Sequence, residues 1–424
     1  MIFKKYSMMR FSTIIGLYLL LQQIGFSQES MPAKPVVCHF SEENSFTQIL
    51  PEDFIKNNAR LLATSKIEVT YIDFPASAKI AFQQAVALWE KYLISPQTIR
   101  IKATWSSLTS TTLAVSGATR IFKNFTNAPY SNIWYPTPLA EALSGKDLNS
   151  GDYDINVTLN SNINWYYGTD AKAQAGKYDL ITVAMHEIAH GLGFSSSMEV
   201  INSDTQGQYG QSGSAYVYDA FMQDSQKIKL TNTGIYGNPS LDLKKSLTSN
   251  ALYFGLKNNK FANILPRLYA PSPYKDGVSF SHFDENTYPS GSINSLMSPS
   301  VRAAEVNQTP GELLLNCLNE MGWQINGLIG YVVTDTESIP EQNMEVKVFP
   351  NPAEDFLNVA IPLQHQPRTI KITLLSSNGI ILQSIENQLV TVETFVIDVR
   401  ALSEGIYFLR VVDGERITVK KIVK

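Results

Sequence analysis

The stretch MHEIAHGLGFSSS at 185–197 constrains this chain more than any other. On a helix, His186 and His190 stand one turn apart on the same face, and Glu187 leaves from a neighbouring direction. Two imidazoles so placed can aim their nitrogens at one point, which is the beginning of a zinc site. The flanking Ile181, Val183, Ala184, Ile188 and Ala189 call for a helix packed in a core. Asp179 is the expected N-cap, and Gly191 and Gly193 the helix end. The plainer alternative is two satisfied histidines on an ordinary helix.

The chemistry follows from the residue types. A bound zinc ion lowers the pKa of a water and polarises a carbonyl. Glu187 would take the water's proton and later give it to a leaving amine. A catalytic zinc usually takes three protein ligands, so one is missing. In the compact spacing H-E-x-x-H-x-x-G-x-x-H the third follows the glycine. Gly193 fits that spacing, but the next position is Ser196, a poor zinc ligand. The remaining histidines are His39, His282 and His365. His282 belongs to the same body as the helix and is the expected third ligand. A long gap is cheap, because closing a loop costs only about 0.6 kcal/mol per doubling of its length. Asp219, Asp224 and Glu199 are the carboxylate rivals. Asp284 and Glu285 could instead hold a ligand's second nitrogen.

NSLMSPS follows, with Met297 fifteen positions after His282. With these residues on the page, the chain resembles the metzincin zinc endopeptidases, and within them the leishmanolysin-like branch. The positions carrying the resemblance are His186, Glu187, His190, Gly193, Phe194, His282 and Met297. It implies a zinc ion on three histidines, Met297 as an apolar floor beneath it, and a protein or peptide substrate. It also implies an edge strand that binds substrate in extended form. The matching segment is YDINVTLNSNINWYYG, from Tyr153. Tyr216 and Tyr218 could donate to an oxyanion. Asp147, Asp152, Asp154 and Asp170 could hold a structural calcium, although none has a recognisable ligand spacing.

The rest of the chain sets the context. An α+β body is expected over 61–328, with a helix at ASAKIAFQQAVALWEKYL and another at TPGELLLNCLNEMGW. Residues 1–28 read as a secretory signal peptide and 29–60 as a leader or pro-segment. A polar linker spans 329–343. Short strand-like runs with turn signals over 344–424 predict a small β-sandwich. VFPNPAEDFLNV and GIYFLRVVDGERITVKKIVK in that tail resemble the sorting domain of type IX secretion cargo. The resemblance implies the type IX machinery as a partner and passage through the inner and outer membranes, to the medium or the cell surface.

Net charge is −4 and no dense basic run interrupts the body, which argues against a nucleic-acid partner. No segment is long and apolar enough for a stable membrane span. The only two cysteines, Cys38 and Cys317, could close a disulfide in an exported chain. Cys38 could instead cap the zinc in a latent form. The competing functional reading is an exported binding or adhesion protein on a degenerate protease fold.

Overall fold

The computed structural model describes residues 27–50, 63–256, 265–326, 346–361, 370–376, 381–387, 394–413 and 416–424. The expected signal peptide, apart from its last two residues, and the expected linker lie outside the described residues, as does His365.

The body is built on one mixed six-stranded sheet. Its strands are β2 (Val36–Asn44), β3 (Ile67–Ile72), β4 (Ile99–Ser106), β5 (Thr112–Ala118), β7 (Ile155–Asn160) and β8 (Ser300–Ala303), while β1 (Glu29–Pro32) and β6 (Arg120–Lys123) pair with each other in a separate small sheet. The order across the sheet is β8-β2-β5-β7-β4-β3. β3, β4 and β7 run parallel, β5 is antiparallel to both β7 and β2, and β2 is parallel to β8.

Helices α1 (Ala76–Tyr92) and α2 (Leu180–Gly191) pack in the core beside this sheet. α1 buries Ala78, Ala81, Phe82, Ala85, Val86, Leu88, Trp89 and Tyr92, a stripe at helical spacing. Every residue of α2 is buried, so this helix has no solvent face. Such burial of a helix carrying charged and polar groups is stable only if those groups find partners. Trp89 ties the two helices by donating Nε1–H to the Met185 carbonyl at 3.0 Å. α2 starts at the expected cap: the Asp179 carboxylate accepts from Thr182 N at 3.0 Å and Thr182 Oγ1 at 2.7 Å. It ends at Gly191, and Gly193 follows with φ +115. A Cβ there would stand 2.8 Å from Pro136 Cγ, so both backbone conformation and space favour glycine. α3 (Gly311–Met321) closes the body, and Trp323 behind it donates to the Leu192 carbonyl at 2.9 Å.

The tail has its own core of Val346, Leu357, Val359, Ile370, Ile372, Ile397, Leu409, Val411 and neighbours. Around it lie a three-stranded sheet and a four-stranded sheet, all antiparallel. This is the two-sheet module predicted from the strand spacing. Body and tail together give the expected α+β chain with a C-terminal β-sandwich.

Two expectations are corrected by the fold. The strand beginning near Tyr153 is not a free edge: β7 is paired on one side with β4 and on the other with β5. Its residues alternate in burial as any sheet strand's do, and alternation carries no information about which edge is open. The disulfide is also absent. Cys38 and Cys317 are both free and buried, and each is perturbed by a different set of groups. Glu187 lies beside Cys38, while Glu320 is the charge that bears on Cys317.

Candidate metal centre

Two parts of the chain bring the histidines together. α2 supplies His186 and His190 from adjacent turns of one face. The segment ending the long insertion supplies His282. All three rings are buried. His190 Nε2 lies 3.0 Å from His186 Nε2, and His282 Nε2 lies 3.3 Å from it. Tetrahedral ligands at the usual Zn–N length stand about 3.3 Å apart, so the spacing matches a zinc ion's coordination sphere.

The other ring nitrogens decide what the Nε2 atoms are. His186 Nδ1 is 2.6 Å from the Leu296 carbonyl, His190 Nδ1 2.7 Å from the Phe194 carbonyl, and His282 Nδ1 2.7 Å from the Val278 carbonyl. A carbonyl only accepts, so each Nδ1 carries the proton and each Nε2 presents a bare lone pair. Burial holds all three rings neutral. It pushes His186 down to about 4 and His282 to about 3, and repulsion from His186 adds to the second. His190 is lowered well below its ordinary value, by burial first and then by its two histidine neighbours. Three lone pairs aimed at one another in a dry interior are repulsive without a cation between them. The donor set therefore fits zinc.

Gly193 shapes this arrangement. The turn it allows lets Phe194 N donate back to the Ala189 carbonyl at 3.0 Å, which sets the Phe194 carbonyl against His190. Met297 is fully buried, and its neighbour Leu296 is the partner of His186. The Met297 carbonyl accepts from Phe283 N at 2.8 Å, which binds the methionine turn to the residue after His282.

Glu187 is fully buried beside the cluster, and burial raises it to about 7, opposed by the hydrogen bond from Ser116 and by the nearby Cys38 thiol. Ser116 Oγ lies 2.6 Å from Oε2, while Oε1 has no hydrogen-bond partner. Among the described residues, ligand atoms of two groups converge within 4.8 Å: His186, His190 and His282, and also Cys38, His186 and Glu187. The thiol is thus brought to the edge of the centre by β2. Its own pKa is raised well above the ordinary value, by burial and then by Glu187.

The rivals to His282 are engaged elsewhere. Asp219 accepts from Ser196 Oγ at 2.7 Å, Ser197 N at 3.1 Å and Tyr216 N at 3.0 Å. Ser196, in the slot of the compact motif's third histidine, thus anchors the insertion. Asp224 binds Ile228 N and the Tyr236 hydroxyl, and Glu199 pairs with Lys34 at 3.0 Å. Neither Asp284 nor Glu285 holds a ligand nitrogen, since backbone carbonyls take that role. The tyrosines also have partners: Tyr218 donates to the Phe280 carbonyl at 2.9 Å, and Tyr216 Oη accepts from Lys34 N at 3.2 Å. Of the calcium candidates, Asp147 pairs with Arg100 at 2.9 Å, Asp154 accepts from Arg100 N at 2.7 Å, and Asp152 accepts from Tyr153 N at 2.8 Å. Asp170 accepts from the Tyr166 hydroxyl.

The buried histidine cluster with its glutamate is arranged as in zinc metalloproteases. That favours a catalytic zinc hydrolase over the adhesion reading. The tail carries a second identification. Residues 347–424 match the family described as the secretion system C-terminal sorting domain. The tail is a sorting domain. The metal helix and most of the insertion, but not His282, fall within a second match, at 133–270, to a family described as SPBPB7E8-like. No curated protein matches the chain. Among the described residues no helix is long and apolar enough to cross a membrane.

Sequence reasoning missed Ser116 and the three carbonyls. Ser116 had one signal, a polar residue within the apolar run TLAVSGA. The carbonyls had none, since a backbone acceptor leaves no mark in residue type.

Proposed function

We propose that this chain is an exported zinc endopeptidase of the leishmanolysin-like branch of metzincins, with His186, His190 and His282 as ligands and Glu187 as general base. The observation that carries this is the convergence of three bare Nε2 atoms, each fixed by a carbonyl on its Nδ1. His282 reaching back over 96 positions to His186 supports the branch. When bound, zinc supplies Lewis-acid polarisation of a peptide carbonyl and of the attacking water.

Glu187 receives the water's proton on Oε1, the oxygen left without a partner, and returns it to the nitrogen of the departing amine. Its buried setting, which holds the carboxyl near neutrality, suits a group that must both accept and release a proton. Met297 closes the centre from below as packing. The substrate pairs with β5, whose outer edge offers backbone donors and acceptors to an extended peptide.

That edge is covered by β2, with Val36 opposite Ser116 and Cys38 opposite Ala114. We read the leader from 29 as a pro-segment lying where substrate would lie, with Cys38 beside Glu187. Export follows from the signal peptide and the sorting tail, through the type IX route.

Glu187→Gln tests the mechanism. The variant keeps its zinc and its fold, and peptide hydrolysis falls by about 100-fold or more, the range for loss of a general base. Hydrolysis at the wild-type rate would refute the assignment.

A further inference from the structure

A carboxylate that acts as base must present one particular oxygen, and something must hold the other. We infer that Ser116 is the positioning residue for Glu187. The inference rests on the reading of Glu187 as the base.

Ser116 sits in β5 and is buried. Its backbone is fixed by the body strand β7, opposite Val157, and with the leader in place also by Val36 of β2. Its Oγ lies 2.6 Å from Glu187 Oε2 and 3.0 Å from the Glu187 carbonyl oxygen. A hydroxyl has one proton to give, and the shorter contact to a carboxylate oxygen takes it. The strand therefore grips Oε2 while Oε1, buried and without a hydrogen-bond partner, is the oxygen left for proton transfer. Ser116 touches neither the histidine cluster nor the reacting atoms; it acts through Glu187. Without it the carboxylate can turn about its last bond and lose the orientation that proton transfer requires.

The test uses the processed, zinc-loaded protein on a quenched fluorescent peptide, with Ser116→Ala and Ser116→Thr beside the wild type. Ser116→Ala lowers kcat by about tenfold or more, the size of a hydrogen bond to a charged group. KM, zinc content and zinc affinity stay as in the wild type. Ser116→Thr keeps the donor and holds kcat within about threefold, the rescue that separates orientation from packing. A crystal structure of Ser116→Ala shows the Glu187 carboxylate rotated, which can be read even if the variant is unstable in assay. The inference is overturned if Ser116→Ala retains kcat, if it loses zinc along with activity, or if Ser116→Thr falls as far as alanine. An inert zinc-loaded wild type would sink the protease reading and this inference with it. An active wild type matched by an equally active Ser116→Ala would sink the inference alone.

Discussion

Single side chains in this body show how burial sets charge. Glu141 is buried, accepts from Leu148 N at 2.9 Å, and is raised to about 7 by desolvation and then by Asp154. Its folded pKa stands above the ordinary carboxylate value. The unfolded chain therefore loses the proton first, and between about 4.5 and 7 the folded state binds more protons. Stability from this group is present at low pH and is lost as pH rises through that window. Glu141→Gln removes the ionisation and keeps the carbonyl acceptor. At pH 8 the variant should be more stable than the wild type, by about 1 to 3 kcal/mol. At pH 4 the two should be alike. Urea unfolding at both pH values checks this, and a variant that is less stable at pH 8 would contradict it.

His186 and His190 were legible because a helical turn is a local rule, needing only residues four apart. His282 was legible as a residue type available in the same body, but its approach depends on a fold spanning 96 positions. Ser116 meets Glu187 across 71 positions, and no local rule reports a contact of that length.

Among elements, the decisive arrangement is β2 between β5 and β8. A strand paired antiparallel on one side and parallel on the other fills the gap between two walls of the centre. Around it, Lys34 binds Glu199 and Tyr216, the Val37 amide donates to the Gly277 carbonyl at 3.1 Å, and Cys38 stands against Glu187. Helix α1 was legible from period alone, and it spans Ala76–Tyr92 within the expected stretch ASAKIAFQQAVALWEKYL. The edge assignment failed because pairing is a property of two strands, and β5 reads as an apolar run without an address. If β2 is the inhibitory strand, chains retaining residues 29–49 hydrolyse peptides at least about tenfold more slowly than chains that have lost them. N-terminal sequencing of each fraction, set against its rate, checks this. Equal rates with the strand attached would contradict it.

At the level of the whole molecule, separate hydrophobic cores divide the labour. The largest surrounds α2 and the histidine cluster, and a separate one belongs to the sorting tail. The tail was legible because short strands punctuated by turn signals make a sandwich in many sequences, and its sorting character lay in the motifs at its two ends. Everything chemical depends on the three imidazoles closing on one ion. Anomalous diffraction at the zinc edge, from the secreted protein and from His282→Ala, measures that directly. One zinc is expected in the wild type, about 2.0 to 2.1 Å from Nε2 of His186, His190 and His282, with the ion lost or far more weakly held in the variant. A zinc bound elsewhere, or one held as firmly without His282, would contradict it.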